Sequence, residues 1–154
     1  GMLLNLAGVA HTDDKDVLWQ YLRRYVPGAT PDNAPYLDKL LQGAVAYYQD
    51  FVKASKKFRL PADRERAALQ DLAETLRKLS DDATAEAIQD EVYEAGKRHF
   101  AKEELRQWFK TLYEVLLGSE QGPRMGAFIK LYGRDNVVKL IERALAGEDL
   151  GKAA

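Results

Sequence analysis

The sequence predicts an all-α fold, an irregular multi-helix bundle or helical cage of roughly seven or eight helices. Apolar residues recur at helical spacing in one segment after another. No stretch alternates apolar and polar residues at period two for long enough to make a strand. Hydrophobic content is ordinary at 46%, charge is high at 31%, and Gly and Pro number only 11 and 5 in 154 residues, a profile of a packed helical chain rather than a disordered one. The length suffices for one domain with a real core.

In order, Leu3, Leu4, Leu6 and Val9 suggest a short apolar helix. Thr12 is placed to cap the next, with Asp13, Asp14 and Asp16 in its first turn, where negative charge suits the helix dipole. Leu18, Leu22 and Tyr25 form its stripe beside Trp19, and Pro27-Gly28 ends it. Three prolines between Pro27 and Pro35 mark a connector. Tyr36 to Lys57 reads as the longest helix, with Leu37, Leu41, Ala44, Tyr48 and Phe51 on one stripe. A break at Phe58-Arg59-Leu60-Pro61 precedes a helix with Leu69, Leu72, Leu76 and Leu79 aligned. If the chain forms two helical lobes, their boundary falls at 58–61. Ser80-Asp81-Asp82 is a polar turn, and Thr84 caps a helix carrying Ala85, Ile88, Val92 and Ala95 on one face. Leu105, Trp108, Phe109, Leu112, Val115 and Leu116 then give a broad apolar face that must be buried. Gly118 stands where a left-handed helix stop belongs. Gly122-Pro123 restarts the chain, with Pro at the first helical position, Arg124 in the first turn and Gly133 as the stop. Val137, Val138, Ile141, Ala144 and Leu145 make the last helix, stopped by Gly147, so the helical region is 2–147 and 148–154 is a frayed tail. Gly1 ahead of Met2 has the look of a tag-cleavage scar and is set aside.

Chemistry is scarce. With no cysteine, disulfides and thiolate metal sites are excluded. Of the two histidines, His11 lies in a polar turn and His99 continues the Ile88 stripe; neither has convergent partners, and no Glu-x-x-His pair exists. No metal and no catalytic constellation is expected. No apolar run reaches membrane-spanning length, and Met2 to Ala10 is too short and lacks the basic flank of a signal peptide. No membrane partner is expected, and the cytoplasm is the expected compartment. A net charge of -1 is not the footprint of a bulk nucleic-acid binder, so any RNA contact must be local. Basic residues do cluster in three places: Lys53, Lys56, Lys57 and Arg59; Lys97, Arg98 and Lys102, near His99; and Arg124, Lys130 and Arg134. Each cluster also reads as ordinary solvation of a helix end. The Gly-Pro-Arg turn is equally a structural helix start or an anion site, since free amides and an Arg meet there.

Trp108-Phe109-Lys110-Thr111-Leu112-Tyr113-Glu114-Val115-Leu116-Leu117-Gly118, followed by Gly122-Pro123-Arg124-Met125-Gly126-Ala127-Phe128-Ile129-Lys130-Leu131-Tyr132-Gly133, resembles the C-terminal segment of class I lysyl-tRNA synthetases. Asp14-x-x-Val17-Leu18-Trp19, Tyr25-x-Pro27-Gly28-Ala29-Thr30-Pro31, Leu37-Asp38 and Tyr48-x-Asp50-Phe51 resemble the opening of the same region, so the likeness covers nearly the whole chain. The His-x-Gly-His motif of a complete enzyme is absent. Lys53-Ala54-Ser55-Lys56-Lys57 imitates the Lys-Met-Ser-Lys-Ser loop but falls on the stripe of a helix, with no α/β domain to serve. The resemblance therefore implies a non-catalytic anticodon-binding part, with ATP and lysine bound by a separate N-terminal catalytic domain and no cofactor of its own. The turn before the closing helices approaches the anticodon in related glutamate enzymes, which implies RNA contacts at Gly122, Pro123, Arg124 and Gly126, with the lysine-rich clusters on phosphates. A free-standing helical RNA- or protein-binding module is the alternative.

Overall fold

The computed structural model describes residues 2–49 and 56–152. Eight α-helices and no strand are found among them: α1 (Met2–Ala10), α2 (Lys15–Tyr25), α3 (Pro35–Tyr47), α4 (Asp63–Lys78), α5 (Ala85–His99), α6 (Leu105–Leu112), α7 (Met125–Tyr132) and α8 (Arg134–Leu145). Lys102–Glu104 is a 3₁₀ turn leading into α6, and Tyr113–Leu117 is a π-helical turn continuing from it.

Local chemistry explains most helix ends. Thr84 Oγ1 accepts the amide of Ala87 at 3.0 Å, as its capping role requires. Asp14, rather than Thr12, caps α2 by accepting from the Asp16 amide at 2.9 Å. Thr12 Oγ1 accepts from Asp14 N at 3.0 Å, so its hydroxyl shapes the residue that does the capping. Gly118 ends the π turn at φ 67, a backbone that favours glycine, and a Cβ there would stand 2.6 Å from the Phe58 ring. The expected long helix is shorter: α3 closes at Tyr47, a π turn covers Tyr48 and Gln49, and residues 56–62 are not helical. Phe51 lies outside the described residues.

A short helix that is apolar on nearly every side but one belongs at the centre of a bundle. α7 sits there, burying Met125, Phe128, Ile129, Leu131 and Tyr132 against α1, α2, α5 and α8. Beside it, Trp108 is fully buried and donates Nε1–H to the Val92 carbonyl at 2.9 Å. Gly96 makes room for it, since a Cβ would meet Trp108 Cδ1 at 2.4 Å. One apolar core runs from Leu6 through Leu41, Leu72 and Ile129 to Leu150, taking in helices before and after the 58–61 break. Its last member lies in the segment 148–154 that the sequence reads as a tail, described here as far as 152. Leu150 is buried, and its carbonyl lies 3.0 Å from His11 Nε2.

The irregular segment 56–62 is anchored by charge. Glu65, 5% exposed, holds Arg59 with two bonds of 2.7 and 2.9 Å and accepts from Ala62 N, Gln107 Nε2 and Thr111 Oγ1. Arg59 also reaches Glu114 at 2.7 Å. The Arg59 bonds, helped by the Thr111, Ala62 and Gln107 donors, outweigh burial and bring the Glu65 carboxyl from its ordinary 4.5 to about 2. A depressed carboxyl stabilises the fold above its unfolded value and loses that contribution as pH falls through its folded value. Glu65→Gln should therefore unfold more easily at pH 7, by about 3 kcal/mol for a broken buried pair. Its urea midpoint should also fall less steeply than wild type between pH 4.5 and 2. Equal slopes across that window would show that Glu65 is not the titrating group.

Candidate nucleic-acid interface

The loop from Gly118 to Arg124 returns the chain over the π turn. Gly122 lies on Tyr113 and Leu117, with room for no Cβ short of 2.7 Å from the Tyr113 ring. Tyr113 donates its hydroxyl to the Pro123 carbonyl at 2.9 Å. That tether holds the chain in an extended form past Pro123, so α7 begins at Met125 and Arg124 is its N-cap, with φ -57 and ψ 124. This corrects the expected start at Pro123. Gly126 N, expected to be free for an anion, donates instead to Gln89 Oε1 at 2.6 Å. Gly126 itself is buried against α5, where a Cβ would come within 2.2 Å of the Ala85 carbonyl oxygen. No nucleotide fits between those backbones. What the turn presents to solvent is Gly122 and Arg124, with Pro123 half-buried. The Arg124 guanidinium has no hydrogen-bond or ion-pair partner among the described residues.

The second cluster is divided. Lys53 lies outside the described residues. Lys56 turns inward: its ammonium donates to the Leu117 carbonyl (3.0 Å), Ser119 Oγ (3.0 Å) and Asn5 Oδ1 (3.1 Å). Burial pushes its pKa down. A cation on the last carbonyl of a helical turn is a C-cap, and all three of its donors are occupied. Arg59 is committed to Glu65 and Glu114. Lys57 alone of the described members is exposed and unpaired; its backbone amide donates to Gly118 O at 2.9 Å.

The third cluster also serves the fold. Arg98 grips Asp71 through two bonds of 2.7 and 2.8 Å, and His99 Nε2 lies 2.8 Å from the same carboxylate. These partners, Arg98 foremost, hold Asp71 at about 2. Lys97 pairs with Glu94 at 3.3 Å, while Lys102 is exposed and unpaired.

Lys130 and Arg134 reach across to the α4–α5 turn. Lys130 Nζ donates to Ala83 O at 2.7 Å. Arg134 donates to Leu76 O at 3.2 Å and bonds Asp81. Both line a groove of about 420 Å³. Two cations outside the sequence candidates, Arg23 and Arg24 at the end of α2, line it too. The signal was an Arg-Arg pair at a helix end before Pro-Gly, which invites a reading as mere dipole compensation.

The candidates thus fall into three places. The Lys56–Arg59 segment and the Gly122–Arg124 turn flank the same π turn, through Lys57 N on Gly118 and Gly122 on Leu117. Lys130 and Arg134 stand at the far end of α7, about 12 Å along an eight-residue helix. Lys97 and Arg98 in the last turn of α5, and Lys102 just past it, stand at the opposite end of that helix from Ala85 and Gln89, the residues that meet α7's start, some 18 Å away for Ala85. Among the described residues no three His, Asp or Glu converge to hold a metal, and no helix is long and apolar enough to cross a membrane.

The anticodon binding domain family matches residues 22–145, and the chain belongs to that family. It is similar to the lysine–tRNA ligase of Rickettsia bellii, 47% identical over 144 residues, which are 94% of this chain and 27% of that protein. The lysine–tRNA ligase of Rickettsia felis is 46% identical over the same shares. That of Roseobacter denitrificans is 48% identical over 147 residues, 96% of this chain and 28% of the enzyme. The chain spans about a quarter of the length of these curated relatives. No solved structure matches.

The contrast between neighbouring lysines is testable. Lys56→Ala leaves the Leu117 carbonyl without its cation in a half-buried place, and should lower stability by about 1–3 kcal/mol. Lys57→Ala, at an exposed and unpaired position, should stay within about 0.5 kcal/mol. Urea unfolding of the two variants checks this, and equal losses would remove the capping role from Lys56.

Proposed function

We propose that this chain binds the anticodon loop of a tRNA, as the non-catalytic part of a class I lysyl-tRNA synthetase acting in the cytoplasm. The observation that carries the reading is the family match across residues 22–145, which spans every basic site described above. The relatives' names supply lysine as the amino acid. Joining lysine to tRNA with ATP belongs to an α/β catalytic domain of the parent enzyme, the second partner of this chain. The chain itself needs no cofactor.

Recognition at the turn rests on Arg124. Its guanidinium is exposed and unpaired, and its backbone is fixed at the start of α7 by the Tyr113–Pro123 bond and the Gln89–Gly126 bond. A planar fork held at a fixed place suits a base edge or a phosphate. The large aromatics Trp108 and Phe128 are buried and Phe109 is covered in part by Tyr93, so stacking on them is not how bases are held here.

Titration of fluorescent tRNA bearing a lysine anticodon, at several salt concentrations, tests the reading. Arg124→Ala should cost about 1–3 kcal/mol if the side chain reads a base, or lower the salt slope by somewhat under about one if it holds phosphate. Melting curves should coincide, because the side chain makes no bond in the fold. Unchanged affinity and slope would remove Arg124 from the interface, and no binding by wild type at low salt would overturn the function.

A further inference from the structure

We propose that the groove between the end of α2, the α4–α5 turn and the α7–α8 junction holds phosphodiester groups of the bound RNA, with Arg23 and Arg24 as its principal ligands. The inference deepens the anticodon-binding reading and rests on it.

Four cations from three helices converge on the groove: Arg23 and Arg24 from α2, Lys130 from α7 and Arg134 from α8. The facing carboxylates are Asp81 and Asp135, which leave the lining with a net positive charge. Asp81, bonded to Arg134, is 92% exposed on its side chain, and a pair so open to water contributes little and yields readily to a competing anion. Asp135 is exposed and holds none of the four cations.

The cations differ in what they already do. Lys130 and Arg134 are tied to backbone carbonyls of the α4–α5 region and so form a fixed positive wall. Arg23 and Arg24 are exposed and have no carboxylate partner among the described residues; Arg24 only lies over the Tyr21 ring, 5.9 Å from its centroid. Placing either at a helix C-terminus satisfies the dipole. The dipole does not account for two further cations brought from α7 and α8 to face them. Gly133 lines the groove too, at a φ of 100 that strains any side chain, and a Cβ there would press on Asn136 Nδ2 at 3.2 Å. A volume of about 420 Å³ admits a phosphate and its flanking sugar rather than a lone ion in a tight cage. The groove also stands one α7 length from Arg124, so a single RNA strand could engage both ends of that helix.

The test uses the chain itself with fluorescent tRNA carrying a lysine anticodon, titrated between 50 and 200 mM salt. Each contact to a single-stranded phosphate contributes about 0.7 to the salt slope. The Arg23→Gln/Arg24→Gln variant should therefore have a slope lower by about 1.4, so that the fourfold rise in salt weakens wild type about sevenfold more than the variant. Melting should be unchanged, and Lys139→Gln, an exposed position outside the groove, should bind as wild type. If the double variant keeps affinity and slope while Arg124→Ala loses them, the groove is overturned and the anticodon reading stands. If wild type binds no tRNA, both fall. Inorganic phosphate is the separate arm: stabilisation of wild type by millimolar phosphate, lost in the double variant with tRNA binding unaffected, would assign the groove to a free anion and overturn the RNA assignment.

Discussion

Glu65 is the joint on which the bundle turns. A carboxylate 5% exposed has to be fully bonded or neutral, and here five donors from four residues, Arg59, Ala62, Gln107 and Thr111, meet it. Through Arg59 it fixes the segment entering α4; through Ala62 N it caps α4; through Gln107 and Thr111 it binds α6. Arg59 carries the bond on to Glu114 in the π turn. Such a pair adds less net stability than its bond count suggests, because burying both charges costs almost as much as their attraction returns. Its effect is on geometry: a half-made network is worse than none, so only the arrangement that satisfies every member survives. That arrangement puts Phe58 against Gly118 and Lys57 N on the Gly118 carbonyl, and thereby sets the exit of the π turn from which the Gly122–Arg124 turn departs.

The same economy governs the other cations. A bundle with short connections has many helix ends, and each end leaves carbonyls that need donors. Lys56 on Leu117 O, Lys130 on Ala83 O and Arg134 on Leu76 O all answer that need across 47 or more residues of sequence. Basic residues near helix ends are thus drawn into the fold first. At the sites described above, Arg124, Lys57, Lys102, Arg23 and Arg24 are left with no acidic or carbonyl partner among the described residues, a state they share with Lys39, Arg66, Lys78, Arg106, Lys139 and Lys152 and one visible only in three dimensions.

Much of the fold was legible because its signals are local. Thr84, Gly118, Gly133 and the Leu69–Leu76 stripe act within a turn or two of themselves. Errors arose where a distant partner overrode a local rule. Pro123 is a good first helical residue, yet Tyr113 holds its carbonyl and delays α7 to Met125. Nothing between Ala44 and Leu60 is a helix breaker, yet the chain leaves the α-helix after Tyr47, and Lys56 is wanted at the end of another turn. Leu150 looked like a fraying tail because its pocket is assembled from Phe58, Val115 and Ala144. The site was less legible than the fold for the same reason: choosing among Lys56, Lys57 and Arg59 depends on Asn5, Glu65 and Glu114, and no spacing rule links those positions.

A chain of net charge -1 that recognises RNA cannot draw it in by its overall field. On the proposed function, long-range attraction would come from the rest of a parent enzyme, and this chain would contribute discrimination at short range. The structure suits that division. Its exposed, unpaired arginines are few, and Arg124 is positioned by hydrogen bonds on both sides of it rather than by its own side chain. Cations such as Lys56, Arg59 and Arg98 are held by partners within the fold, so on the proposed function selectivity comes from where the unpaired ones stand, at the start of α7 and in the groove at its other end, rather than from overall charge.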